Sequence, residues 1–231
     1  MQQLSIPELS APLEIRRSSR ATRLTLRVDP ICGVIRVTAP LAVSEQVIRI
    51  FVERHASWVS HRQAALPPAQ PFVAGAVTPI LGRDYVIRHQ PELIGGPLFL
   101  NQEILVGGKP EHMARRVRDA LIALARRELE TRTRDKATKI ERRVAAITVR
   151  DTRSRWGSCS SSGRLSFSWR LILMPDWVMD YVAAHEVAHL AEMNHSPKFW
   201  ALVGQLTPQV NRPRNWLKTH GTQIMRYGTD G

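Results

Sequence analysis

The chain has 231 residues, of which 43% are hydrophobic, and its 33 Lys and Arg outnumber 20 Asp and Glu to give a formal charge of +13. This apolar share is typical of globular proteins and excludes a disordered or collagen-like chain. The sequence contains no run of 18 apolar residues and no secretory signal, so we expect a cytoplasmic protein without a membrane-spanning helix.

Residues 1–106 predict a β-rich N-terminal region. Apolar and polar residues alternate over Arg23–Val28 and Val34–Val37, which predicts two strands joined as a hairpin. A helix is predicted from about Ser44 to Ala64, because its apolar residues keep to one stripe and a proline pair follows it. Residues 73–106 return to short strands separated by glycine-containing turns.

Residues 107–231 predict a second region, which we expect to be catalytic. A helical pattern extends from Pro110 to about Arg143. The segments Ala145–Arg150 and Leu165–Trp169 then alternate like two strands of a small antiparallel sheet. A further helix is predicted from Pro175 to about Ala191, so the whole chain is expected to adopt an α+β fold.

Positive charge is concentrated in residues 107–150, which carry 13 basic and 6 acidic side chains. Of the 33 basic residues in the chain, 28 are Arg, a side chain that suits bidentate contact with phosphate. The segment is either a non-specific contact for nucleic acid or nucleotide, or one solvated helix face. Charge alone leaves both interpretations open.

The predicted helix at residues 175–191 contains the pattern H-E-x-x-H over His185–His189. Histidines four residues apart lie on one face of a helix, so both imidazoles can bind one ion. Glu186, beside the first histidine, can act as general base toward an attacking water. At this composition, chance would produce about 0.01 such matches. The pattern therefore predicts metal-assisted hydrolysis.

A catalytic zinc site takes a third protein ligand, for which Glu192 and His195 are the candidates. A straight helix would place Glu192 about 10.5 Å along its axis from His185, too far for one ion with bonds of about 2 Å. His195 stands between two predicted helices, where the chain can turn back. We predict one Zn²⁺ per chain and this set of residues: metal ligands His185, His189 and His195, and catalytic base Glu186.

Four segments together form a combination of motifs that is specific to one protein family. They are RWGSCS at residues 155–160, HEVAHL at 185–190, and the pairs His195-Ser196 and Phe199-Trp200. With these motifs the chain resembles the YgjP-like metallopeptidase family, which is related to SprT-like zinc proteases. The resemblance implies a minimal zincin-type catalytic domain, with a small sheet and the HExxH helix, preceded by the β-rich region. It also implies that the three histidines bind zinc, that Glu186 is the base, and that the substrate is a protein or peptide.

Four residues near the motif have less certain roles. Arg155 and Ser158 are candidates for contact with substrate or with a developing oxyanion. Tyr181 lies one helical turn before His185 and either orients it or only packs. Cys159 is expected to pack as a small buried residue rather than to bind the metal.

Three functions are compatible with this site. The first is a zinc-dependent protease, acting near DNA if the basic segment binds it. The second is a metal-dependent hydrolase of nucleoside triphosphates, although no Walker-type glycine loop is present. The third is a nucleic-acid-binding module with structural zinc, which we rank last because structural sites usually have four protein ligands.

Overall fold

The computed structural model describes residues 2–4, 13–152 and 154–229. The chain forms two compact units, one within Met1–Ala69 and one over Gln70–Gly228. Each has its own hydrophobic core. The second unit contains the candidate metal ligands.

The first unit contains a four-stranded sheet in the order β1-β2-β4-β3, followed by two helices. The predicted hairpin is confirmed, because β3 and β4 pair in antiparallel register. The single helix predicted to end at Ala64 is instead two helices, interrupted at His55. The elements are β1 Gln2–Leu4, β2 Leu13–Arg17, β3 Thr25–Val28, β4 Ile35–Ala39, α1 Glu45–Arg54 and α2 Ala56–Ala64.

The second unit begins with another four-stranded sheet, in the order β5-β6-β8-β7. Its strands are β5 Val77–Ile80, β6 Arg83–His89, β7 Leu98–Leu100 and β8 Glu103–Val106. Buried residues of this sheet, such as Ile87 and Ile104, share one core with Leu121 of the long helix α3, Met113–Lys139. The compact units therefore divide between residues 69 and 70, whereas the sequence-based boundary lies after residue 106.

A three-stranded sheet precedes the helix that contains the HExxH pattern. It consists of β9 Ala146–Arg150, β10 Gly157–Cys159 and β11 Arg164–Ser168, in the order β10-β11-β9. The predicted antiparallel pairing of the two longer strands is wrong, because β9 and β11 are parallel. The reason is β10, which forms the antiparallel hairpin with β11 and reverses the chain between them.

Three helices complete the second unit: α4 Asp176–Ala188, α5 Pro197–Leu206 and α6 Asn211–Met225. Ser196 caps α5 by accepting a hydrogen bond from the Phe199 backbone N–H at 3.3 Å, and Pro197 occupies the first turn. With helices and small mixed sheets, the described residues form the predicted α+β fold. None of the described helices has the length and apolar character needed to cross a bilayer.

A buried lysine joins α4 to its neighbours. Lys136 of α3 is 6% exposed, and its Nζ forms an ion pair of 2.7 Å with Asp180 of α4. The same Nζ donates a hydrogen bond of 2.8 Å to the Leu206 carbonyl at the end of α5. Thr207 donates a further hydrogen bond of 2.8 Å to Asp180. These contacts fix α4, the helix that contains His185 and Glu186, against α3 and α5.

We expect Lys136→Met to lower the free energy of unfolding by about 1–3 kcal/mol, because a buried carbonyl and a carboxylate lose their partner. Urea unfolding at equilibrium measures the change. Lys139→Met is the matched control, since Lys139 lies on the same helix and is exposed. Equal stability losses in the two variants would contradict the role assigned to the buried contacts.

Candidate metal centre

The three histidines predicted as ligands converge at the end of α4. The helix ends at Ala188, with His189 as its C-cap, earlier than the predicted Ala191, and the chain reverses before α5 begins. This turn brings His195 back, so that its ring centroid lies 5.1 Å from that of His185 and 4.9 Å from that of His189. One potential ligand atom of each histidine lies within 4.8 Å of the other two.

The geometry and protonation of these imidazoles fit a metal ion. The Nε2 atoms of His185 and His195 are 3.2 Å apart, close to the roughly 3.3 Å that separates two ligands in tetrahedral zinc coordination. His189 donates from Nδ1 to the Glu192 carbonyl at 3.0 Å, which leaves its Nε2 lone pair free. Burial, followed by the charges of His189 and His195, lowers the pKa of His185 to about 4. A neutral imidazole is the form that binds a metal.

An aromatic floor supports all three rings, and the sequence analysis did not identify it. Phe199 is fully buried, and its ring centroid lies 5.0, 4.5 and 4.7 Å from those of His185, His189 and His195. The Trp200 ring stacks on His195 at 5.7 Å. The available signal was the helix start at Ser196-Pro197, which places Phe199 and Trp200 in the first turn of α5, close to His195.

Glu186 is buried beside the histidines, and the backbone of β10 packs directly against it. Its exposed fraction is 7%. A Cβ atom on Gly157 would lie 2.5 Å from Glu186 Cγ and 2.6 Å from Oε1, so only glycine fits at this position. Burial raises the pKa of Glu186 to about 7, although the charge of Arg155 opposes the shift. The carboxylate is therefore both fixed in place and unusually basic.

The structure brings two of the three candidate substrate contacts to the site. Arg155 is close enough for its charge to act on Glu186. The buried Tyr181 ring lies 5.9 Å from that of His185. Ser158, by contrast, follows Gly157 in β10, and side chains alternate along a strand. Its side chain therefore lies on the face of β10 opposite Glu186.

Cys159 lies near the site but outside the histidine cluster. Among the described residues, the group that could hold a metal consists of the three histidines. Burial, with a smaller effect of Glu186, raises the pKa of the Cys159 thiol to about 11, and the thiol donates to the Ser160 carbonyl at 3.4 Å. Its place outside the cluster agrees with the packing role expected from the sequence.

Metal analysis of the purified protein should give one ion per chain, as three convergent imidazoles predict. Loss of a residue that only supports a metal ligand typically lowers metal affinity by roughly 10–100-fold. We expect His195→Ala, which removes a ligand itself, to lower metal affinity by more than this. His220→Ala is the control, because the His220 ring stacks on Trp216 at 4.8 Å and is not part of the cluster. Similar metal affinity in both variants would contradict the assigned ligand set. Competition with a chromogenic chelator measures the affinities.

The chain is similar to a known protein family and to a solved structure. The family model described as "YgjP-like, metallopeptidase domain" matches residues 22–220, a range that includes β10, the HExxH pattern and His195. The search of curated proteins finds no match. The metallopeptidase zymogen abylysin of Pyrococcus abyssi is a similar solved structure, with 19% sequence identity and a TM-score of 0.36. The match covers 43% of this chain and 97% of the abylysin chain.

Proposed function

Because the chain belongs to the YgjP-like metallopeptidase family and is therefore a metal-dependent hydrolase, we propose that its metal is zinc and that it cleaves peptide bonds in protein substrates. One observation carries the proposal: three imidazoles converge on one point beside a buried carboxylate. Three protein ligands leave a fourth position for water or substrate, as in catalytic zinc sites. A structural site would usually have four protein ligands.

In this proposal each residue of the site has one task. Zinc held by His185, His189 and His195 would polarise the scissile carbonyl and make a water molecule more acidic. Glu186 takes the proton of the attacking water and passes it to the leaving amine. A pKa of about 7 suits both transfers, because a general base works best near the ambient pH. Contact with Gly157 keeps the carboxylate oriented throughout.

The substrate is proposed to bind in an extended conformation along β10. This strand lies at the edge of the three-stranded sheet and contacts Glu186 through Gly157. An extended peptide can add to an edge strand through backbone hydrogen bonds. Such pairing would place a peptide bond next to the carboxylate with little dependence on side-chain sequence, which suits an enzyme that acts on unfolded protein.

We expect Glu186→Gln to lower the rate of peptide hydrolysis by about 10²–10⁴-fold, because the amide cannot accept the proton of the attacking water. The zinc-loaded protein and this variant are each incubated with unfolded protein, DNA and nucleoside triphosphates, and mass spectrometry identifies every product. Metal content serves as the control for site integrity. Nucleoside monophosphates made only by the wild type, without new peptides, would favour the alternative nucleotide hydrolase.

We expect Gly157→Ala to reduce hydrolysis by at least about tenfold while metal content is unchanged, because displacing the catalytic carboxylate by a fraction of an ångström disturbs its alignment. Gly204→Ala provides a control, since an added Cβ there has nothing within 4 Å. Initial rates on one peptide substrate test both variants. A Gly157→Ala enzyme with the wild-type rate would show that this contact is not required.

A cytoplasmic location is also proposed. Cys32 and Cys159 are both free, and Cys32 is exposed. An exposed free thiol is characteristic of proteins in a reducing compartment.

For the basic segment we propose contact with the phosphate backbone of nucleic acid. Two adjoining cavities lie along α3 and at its C-terminal end, with volumes of about 380 and 500 Å³, and Arg134 lines both of them. Neither cavity is lined by an aromatic side chain, which favours backbone contact over base stacking. The arginines that line them take part in none of the described ion pairs and are Arg126, Arg127, Arg134, Arg142 and Arg143.

If this surface binds nucleic acid, duplex DNA should bind with an affinity that falls steeply as salt is added. Changing both Arg126 and Arg134 to Gln should reduce the slope of log affinity against log salt by about 1–2. Arg115→Gln is the control, because Arg115 on the same helix pairs with Asp119 at 3.5 Å. Fluorescence anisotropy measures the binding, and a slope that the double change leaves unaltered would contradict the proposal.

A further inference from the structure

Arg214 of α6 extends to the rim of the metal centre. Its guanidinium carbon lies 4.7 Å from the centroid of the Trp200 ring. That ring in turn lies 5.9 Å from His185 and 5.7 Å from His195, measured between centroids. Arg214 is exposed and takes part in none of the described ion pairs. The Arg214 cation therefore lies over a ring that adjoins the metal centre, and among the described residues it has no acidic partner.

The charge of Arg214 acts on the site itself. Burial raises the pKa of Tyr181 and lowers that of His185, and the positive charge of Arg214 opposes the first shift and adds to the second. The charge of Arg155 likewise lowers the pKa of Glu186, against the larger effect of burial. The charges of two arginines thus reach residues of the candidate metal centre, and both favour negative charge on a bound substrate.

We propose that Arg214 binds an anionic oxygen group of the substrate next to the reacting bond. This group is either a carboxylate, from an acidic side chain or a peptide C-terminus, or a nucleotide phosphate. Both present negatively charged oxygen atoms to the guanidinium. Arg214 lies over the Trp200 ring, and its side chain donates no hydrogen bond to any residue that the structure describes, so its N–H groups can make a bidentate contact. The inference deepens the proposed function, because it rests on hydrolysis at this centre and specifies the charge of the substrate.

An alternative role for Arg214 is purely structural, as a cover for Trp200. Arg212 provides the matched comparison, because it lies on the same helix and stacks on Trp177 at 4.2 Å. Trp177 packs against Trp216 at 6.4 Å and has no described ring contact with the three histidines. Changing Arg212 to Gln removes the same charge and the same kind of stacking at a position away from the metal centre.

The test measures binding rather than turnover. Zinc-loaded full-length protein with Glu186→Gln is immobilised and exposed to a peptide mixture from digested casein, to the same mixture with its carboxyl groups amidated, and to ATP. Mass spectrometry measures what is retained. The measurement is repeated with Arg214→Gln or Arg212→Gln added to Glu186→Gln, and metal content is measured for each protein.

We expect the carboxylate-bearing peptides to be retained about tenfold more than their amidated forms. Arg214→Gln should bring this ratio close to one, while Arg212→Gln should preserve it. ATP retention that depends on Arg214, with no peptide discrimination, would support the anion site and identify phosphate as its ligand. Equal effects of the two arginine variants, or no preference for any anion, would overturn the inference. Failure of the wild type to cleave casein would count against the proposed protease alone.

Discussion

The close approach of three imidazoles on a buried aromatic floor is the constraint on which the rest of the site depends. Two of the rings come from one turn of α4, and His195 reaches them because the chain reverses before α5. Phe199 contacts all three rings, so the apolar core extends to the ligands. Imidazoles held together in this way would repel one another if charged, and a metal ion relieves the crowding of their lone pairs.

Burial, as a single physical cause, prepares several groups at this site for different tasks. It lowers the pKa of His185, which keeps the imidazole neutral and able to bind metal. It raises the pKa of Glu186, which makes the carboxylate a stronger base. It also raises the pKa of Cys159, which keeps the thiol protonated and unreactive. In each case a low-dielectric environment disfavours the charged form, and the chemical consequence depends on the residue type.

The convergence of the three histidines was predictable because its signals are local. The H-E-x-x-H spacing needs only the geometry of one helix, and the family match confirms the resemblance drawn from the sequence. The hairpin of β3 and β4 followed from period-two alternation. The parallel pairing of β9 with β11 was not predictable in this way, because the three residues of β10 that reverse the chain are too few to show a period.

The sequence by itself determined the family, the α+β class and the residues predicted to bind metal and to act as base, since each depends on short-range spacing or on a motif. Only the tertiary structure decided which distant groups meet there. Gly157 lies close to Glu186, and Arg214 lies over Trp200, through contacts between different elements of the fold. Such contacts follow from how strands and helices pack in three dimensions, and no periodicity or local spacing in the sequence encodes them.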